Sequence, residues 1–237
     1  MGASMGVVVV PIELDMFRSL PPHTRRCVFW EMDASGDDDP FDTAAPPSTD
    51  SEFDKEAWIS GLLLEWGTCG QVAVESTTQR IVGTAFYAPP GRVPRTHRFP
   101  TAPVSSDAVL LTTVTTEPGF DEAAVALMDA VTADIVHRGV RAIEAFGLSG
   151  SREPLEQDLV SLVLGNGIST GACHDCLIPT RQLMDNGFEI VADDLYLPRL
   201  RLELSEGLAW KSAVERALNK LVVEAAVDLS GVAAPVG

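Results

Sequence analysis

Positive charge is scarce in this chain. Its 237 residues hold 17 Lys and Arg against 34 Asp and Glu, a formal net charge of −17. No Lys or Arg lies between Arg98 and Arg138. Nucleic-acid binding rests on clustered cations that neutralise phosphates, so it is not expected here. Long apolar runs are missing too: none reaches the roughly 20 residues of a membrane span, and no membrane association is expected. The opening "MGASMGVVVVPIELD" has neither the basic flank nor the long apolar centre of a signal peptide, and it lacks Ser or Thr at the myristoylation position. Cysteine is sparse: Cys27, Cys69, Cys173 and Cys176. That usage fits free thiols in a reducing compartment, and the expected location is cytoplasmic. Walker loops, dinucleotide fingerprints and Ser-His-Asp motifs are absent. "GLSGS" (Gly147–Ser151) lacks the final glycine of a nucleophile elbow.

What is present is a chain with 46% apolar residues, enough for one sizeable core. The pattern predicts a strand at Gly6–Pro11, short helical pieces at Leu14–Leu20 and Thr24–Trp30, and an acidic, Pro-rich solvated loop at Asp33–Asp54. "SEFDKEAWISGLLLEWG" reads as a helix with Ser51 as candidate N-cap and Gly67 as its stop. "CGQVAVES" and "QRIVGTAFYAPP" read as antiparallel strands joined at Ser76–Gln79. The loop after them carries the only dense group of cations, Arg92, Arg95, His97 and Arg98. "AVLLTTVTT" is a central strand by its near-continuous apolar character, and a helix follows at Asp121–Arg138. "VRAIEAFG" closes a βαβ unit, which implies parallel pairing. Leu148–Asp175 is an insertion with a short helix at Pro154–Leu164. A short helix "IPTRQLMDNG", strands "FEIVADD" and "PRLRLELS", and an amphipathic C-terminal helix with Leu208, Val214, Leu218 and Leu221 complete one domain, 1–228, before a frayed tail, 229–237.

The order β, helices, β, β, central β, helix, β, helix, β, β resembles the GNAT superfamily of N-acetyltransferases. The words "RRCVFWE", "AWISGLLLEWG", "APVSSDAVLLTT", "RGVRAIEAFG", "CLIP", "NGFEIV" and "PRLRLEL" resemble an actinobacterial branch of it, over most of Arg25 to Leu221. The resemblance implies an α/β fold: a mixed central sheet with splayed parallel strands, flanking helices and an extra C-terminal helix. It also implies acetyl-CoA lying in the splay along Leu111, Thr112, Thr113 and Val114, with its pyrophosphate over Gly119, Phe120, Ala123 and Ala124. An amine, on a small molecule or a protein, would attack the thioester carbonyl after losing a proton to a base, while a backbone N–H of the fourth strand polarises that carbonyl.

The turn that should hold the pyrophosphate departs from the family's pattern, Gln/Arg-x-x-Gly-x-Gly/Ala. Gly119–Ala124 spells "GFDEAA": Gly119 stands at the basic position, Glu122 at the central glycine, and only Ala124 fits. Like charges about 4 Å apart repel by roughly 4 kcal/mol at an effective dielectric near 20. The same acidic residues suit a helix N-terminus with no ligand. Glu144, inside the apolar word "AIEAF", is a candidate base, or a carboxylate paired to an Arg such as Arg141 or Arg199. Glu31 is a second candidate base, or a helix-end charge. The helix after the fifth strand has no Tyr to serve as acid. "CHDC" (Cys173–Cys176) packs four possible metal ligands, but neither Cys27 nor Cys69 provides a matching second pair, so no metal is expected. Two functions follow: an acetyl-CoA-dependent N-acyltransferase, or a degenerate GNAT-fold binding or regulatory protein with a protein partner or a second copy of itself.

Overall fold

The computed structural model describes residues 6–32, 51–150 and 173–204. Eight strands form one sheet in the order β1-β2-β3-β4-β5-β8-β7, with β6 attached to β5. The chain runs β1 (Val7–Pro11), α1 (Pro22–Arg26), α2 (Ser51–Glu65), β2 (Gly70–Glu75), β3 (Ile81–Ala88), β4 (Ala108–Thr116), α3 (Asp121–His137), β5 (Ala142–Leu148), β6 (Ile178–Pro179), α4 (Thr180–Asp185), β7 (Glu189–Ala192) and β8 (Arg199–Glu203). β1 to β4 form an antiparallel meander, β4 and β5 pair in parallel, and β8 and β7 return antiparallel. This is the mixed sheet of a GNAT-like fold, as the sequence predicts. The Asp33–Asp54 loop beyond its last four residues, the insertion helix at Pro154–Leu164 and the C-terminal helix lie outside the described residues.

The central strands are apolar on both sides because both faces are covered. Along β5, Ala142 and Phe146 face one core with α2, Trp30 and Phe99, while Ile143 and Ala145 face the other with α3 and α4. α3 buries Ala123, Leu127, Met128, Val131 and Ile135 at helical spacing. α2 ends where Gly67 takes φ +81, a left-handed conformation that suits glycine. α1 is shorter than the sequence suggests. Pro22 starts it, and the chain leaves it at Cys27 in an extended conformation, so Val28, Phe29 and Trp30 turn into the core instead of continuing the helix. Trp30 stacks on Phe99 at 5.1 Å, and Phe99 stacks on Phe146 at 4.1 Å. The basic loop is not extended: it folds into two 3₁₀ turns, Pro90–Arg92 and Pro94–Arg98.

At Gly147, β5 is closely approached by α4 and by β8. A Cβ there would lie 2.5 Å from Thr180 Oγ1 and 2.8 Å from Leu200 Cδ1. Gly147→Ala is expected to destabilise the fold by about 1–3 kcal/mol through overpacking, read as a lowered urea midpoint with an unchanged slope. A midpoint equal to wild type would show that this junction is loosely packed.

Candidate functional site

The site is organised by the way β4 and β5 part. They share a parallel register only over Ala108–Leu110 and Ala142–Glu144. Beyond Leu110, β4 keeps its bonds to β3 while β5 keeps its bonds to β8. Leu111 and Thr112 are buried, and Thr113 and Val114 are half-buried, on the diverging stretch. The β3–β4 register slips here: Phe86 pairs with Thr113 and Tyr87 with Leu111, leaving Thr112 in a bulge with its hydroxyl on the Phe86 carbonyl at 3.0 Å. Bulges re-aim backbone and side-chain groups, which is why they recur beside active sites.

The stretch Cys173–Pro179 occupies the parting. β6 adds to β5 in parallel, Ile178 opposite Gly147 and Pro179 opposite Leu148. The His174–Cys176 turn and β6 also lie against β4. Cys176, Leu177 and Ile178 are buried, and Trp30 Nε1 donates to the Cys176 carbonyl at 3.1 Å. The backbone of β5 at Gly147 and Leu148 is thereby paired with the protein's own chain.

At the far end of β4, Gly119 takes φ +91, and nothing lies within 4 Å of a Cβ built there. Phe120 precedes α3 without giving it a side-chain cap. Phe120 and Ala123 are buried, Ala124 is half-buried, and Asp121 and Glu122 are exposed. Glu117 accepts a short hydrogen bond from Arg80, whose guanidinium stands 6.0 Å from the Phe120 ring centroid. Arg80, from the hairpin before β3, is a cation at this turn, and sequence reasoning passed over it because it lies far away in the chain. The basic loop does not reach the turn. It joins β3 to the start of β4, the opposite end of a nine-residue strand that spans roughly 30 Å. Arg95 is almost fully buried, donates to the Phe29 carbonyl at 3.0 Å and lies over the Phe29 ring. Arg92 pairs with Glu65 at 3.1 Å.

Glu144 is fully buried at the point where the strands part. Its Oε2 accepts from Arg199 and from the Ser105 N–H at 3.1 Å, and its Oε1 accepts from Arg201 at 3.0 Å. Burial alone would raise its pKa; the hydrogen bonds from Ser105 and the two arginines outweigh it and hold the carboxyl below its ordinary range. The paired-carboxylate alternative therefore describes its surroundings, with Arg201 joining the anticipated Arg199. Glu31 is buried against Lys55, whose ammonium also faces Phe86 at 4.7 Å. Burial pushes the Glu31 carboxyl above its ordinary range, opposed by Lys55, and its Oε2 has no hydrogen-bond partner among the described residues. The Tyr87 hydroxyl is engaged with Asp134 at 2.8 Å and Gln71 at 3.0 Å.

The structure also gathers a group the sequence reading kept apart. His23, Cys27, Cys173 and Cys176 bring one donor atom each to within 4.8 Å of one another. "CHDC" does have a second half, formed by His23 and Cys27 rather than by two cysteines. The legible signal was a His-x-x-x-Cys spacing, which on a helical turn puts both side chains on one face. Hydrogen bonds from Cys173 and Cys176, aided by burial-opposing contacts with Phe29 N–H and His23, lower the Cys27 thiol pKa well below its usual value.

Among the described residues, no helix is long and apolar enough to cross a membrane. No family model matches the chain, and no curated protein matches it. Solved structures do. An acetyltransferase of the GNAT family from Staphylococcus aureus Mu50 is 12% identical, with a TM-score of 0.46 over 84% of this chain and 100% of its own. Ard1 from Thermoplasma volcanium is 12% identical, with a TM-score of 0.44 over 84% and 99%. PaiA N-acetyltransferase from Thermoplasma acidophilum, solved with coenzyme A, is 9% identical, with a TM-score of 0.42 over 84% and 99%. The likeness is one of the course of the chain.

The Glu144 cluster sets a pH test. A carboxyl with a depressed folded-state pKa contributes stability that is present above its unfolded pKa of about 4.3 and is lost as pH falls through the folded value. Glu31, with a raised pKa, runs the other way: its contribution is full below about 4.3 and is lost as pH rises through its folded value. Glu144→Gln is expected to cost about 3 kcal/mol at neutral pH, the low end for a broken buried pair because both guanidiniums are partly exposed. The gap to wild type should narrow on acidification to about pH 3. Urea unfolding of both proteins across that range checks it, and a pH-independent gap would refute the assignment.

Proposed function

We propose that this chain is a GNAT-fold protein that does not use acetyl-CoA and acts as a binding or regulatory protein, its partner another protein or a second copy of itself. The observation that carries this reading is the filled parting between β4 and β5, where Cys176, Leu177 and Ile178 are buried and β6 is hydrogen-bonded to β5. A thioester arm would have to displace that packing. The turn at Gly119–Ala124 supports the same reading. Arg80, the cation found beside it among the described residues, is paired with Glu117, and Asp121 and Glu122 present carboxylates where a pyrophosphate would sit. Glu144 is held by two arginines in a buried ion cluster that lowers its pKa, so it is not disposed to take a proton from an amine.

A second reading is favoured by the bulge at Thr112. There the chain is an acetyl-CoA-dependent N-acyltransferase acting on a small-molecule or protein amine. The bulged strand turns a backbone N–H of the Leu111–Val114 stretch toward the thioester carbonyl, and the Cys173–Pro179 stretch moves aside when the cofactor enters.

The two readings differ in one measurement. A ligand present at 100 times its dissociation constant stabilises the folded state by about 2.7 kcal/mol. The melting temperature is expected to stay constant when acetyl-CoA is raised to millimolar levels. A saturable rise that free adenosine diphosphate does not reproduce would overturn the proposal in favour of the acyltransferase.

A further inference from the structure

We propose that His23, Cys27, Cys173 and Cys176 form a structural zinc centre that ties the α1 segment to the stretch filling the parting of β4 and β5. The geometry carries the inference. Each half is a tight turn closed by its own backbone bond: Cys27 N–H to the His23 carbonyl at 2.8 Å, and Cys176 N–H to the Cys173 carbonyl at 2.9 Å. The two turns point their donors at each other. Cys27 Sγ is 3.1 Å from Cys176 Sγ, His23 Nε2 is 3.2 Å from Cys176 Sγ, and Cys173 Sγ is 3.4 Å from His23 Nε2. Zinc–sulfur bonds near 2.3 Å in a tetrahedron separate the donors by roughly 3.5–3.8 Å, so a small outward relaxation admits one ion.

Three thiolates and an imidazole are a soft donor set that selects zinc over magnesium or calcium, and four converging donors leave room for a single ion instead of an iron–sulfur cluster. The set is also closed: four protein ligands fill a tetrahedral site, which marks a structural centre with no open position for substrate. Binding displaces the protons of those cysteines that are still thiols. With the imidazole neutral, the filled centre carries a net charge of −1, two positive charges against three thiolates. The joined halves are 149 positions apart at Cys27 and Cys176, so the ion closes a long loop of chain. Its second connection is already in place, since Trp30 of the α1 segment holds the Cys176 carbonyl. The centre stands on these residues alone, whether or not acetyl-CoA binds.

The test uses the full chain, purified under reducing conditions from zinc-supplemented cells. Elemental analysis is expected to find close to one zinc per chain. Replacing it with Co(II) should give thiolate charge-transfer bands and the intense visible bands of a tetrahedral ion. His23→Asn should bind zinc at least tenfold more weakly, and Cys69→Ser, outside the cluster, should keep full occupancy. Because Cys→Ser variants of the cluster can fail to fold, alkylation mapped by mass spectrometry is done on the wild type. Cys27, Cys173 and Cys176 should be protected until a chelator is added, and then react. Zinc well below stoichiometric with all three thiols reactive from the start would overturn the proposal. So would stoichiometric iron or copper in its place, or a Cys27–Cys176 disulfide that makes the intact chain two hydrogens lighter.

Discussion

The edge of β5 is the constraint on which the rest of this molecule depends. Parallel β4 and β5 hold each other for only three residue pairs, and everything C-terminal to Glu144 must find other partners for its backbone. On one side β8 provides them. On the other, an unpaired strand edge facing a buried gap would be costly, and the chain answers with β6. That answer determines what can enter the gap. The bonds this edge makes at Gly147 and Leu148 are internal, so anything entering the gap must compete with a contact already formed.

Scarce positive charge shapes the other half of the picture. With 17 basic residues against 34 acidic ones, cations near the sheet are committed to specific carboxylates. Arg199 and Arg201 close on Glu144, Lys55 on Glu31, Arg80 on Glu117 and Arg138 on Asp134. The buried pairs have an unfavourable desolvation cost, so their worth lies less in net stability than in the penalty for any arrangement that separates them. Glu144 illustrates this. It sits at the vertex where β4 and β5 part, and its two arginines come from β8, so the ion cluster fixes the angle at which the three strands meet.

The succession of the main strands and helices was legible in the sequence because it rests on periodicities that survive in isolation: continuous apolar words for β3, β4 and β5, and helical spacing at Leu127, Met128, Val131 and Ile135; β6 was not, since Ile178 and Pro179 read as the start of the helix that follows. Local turn chemistry was legible as well, at Gly67 and at the Ser76–Gln79 hairpin. The end of α1 was not, since Cys27 to Trp30 can continue a helix by propensity and leaves it only because Phe29 and Trp30 bury themselves against Phe99 and Phe146. The basic loop misled for a related reason. Four cations in seven residues look like a patch, yet Arg95 turns inward onto the Phe29 carbonyl, a contact 66 positions away that no local pattern contains.

The cysteines show the same limit most sharply. "CHDC" is a local word and was readable; its counterpart is a histidine and a cysteine four apart on a helix that is itself hard to bound. Metal-ligand sets built from unlike halves have no fixed spacing between them, and the spacing here is set by topology: α1 must lie over the parting of the sheet, and the residues before α4 must pass through it. Both conditions follow from the β5 edge. The stretch that repairs the edge carries Cys173 and Cys176, and the aromatic run that roofs it carries Cys27 one turn after His23. Closing the gap and assembling the four donors therefore use the same stretch of chain, and a change that loosens either one should loosen the other.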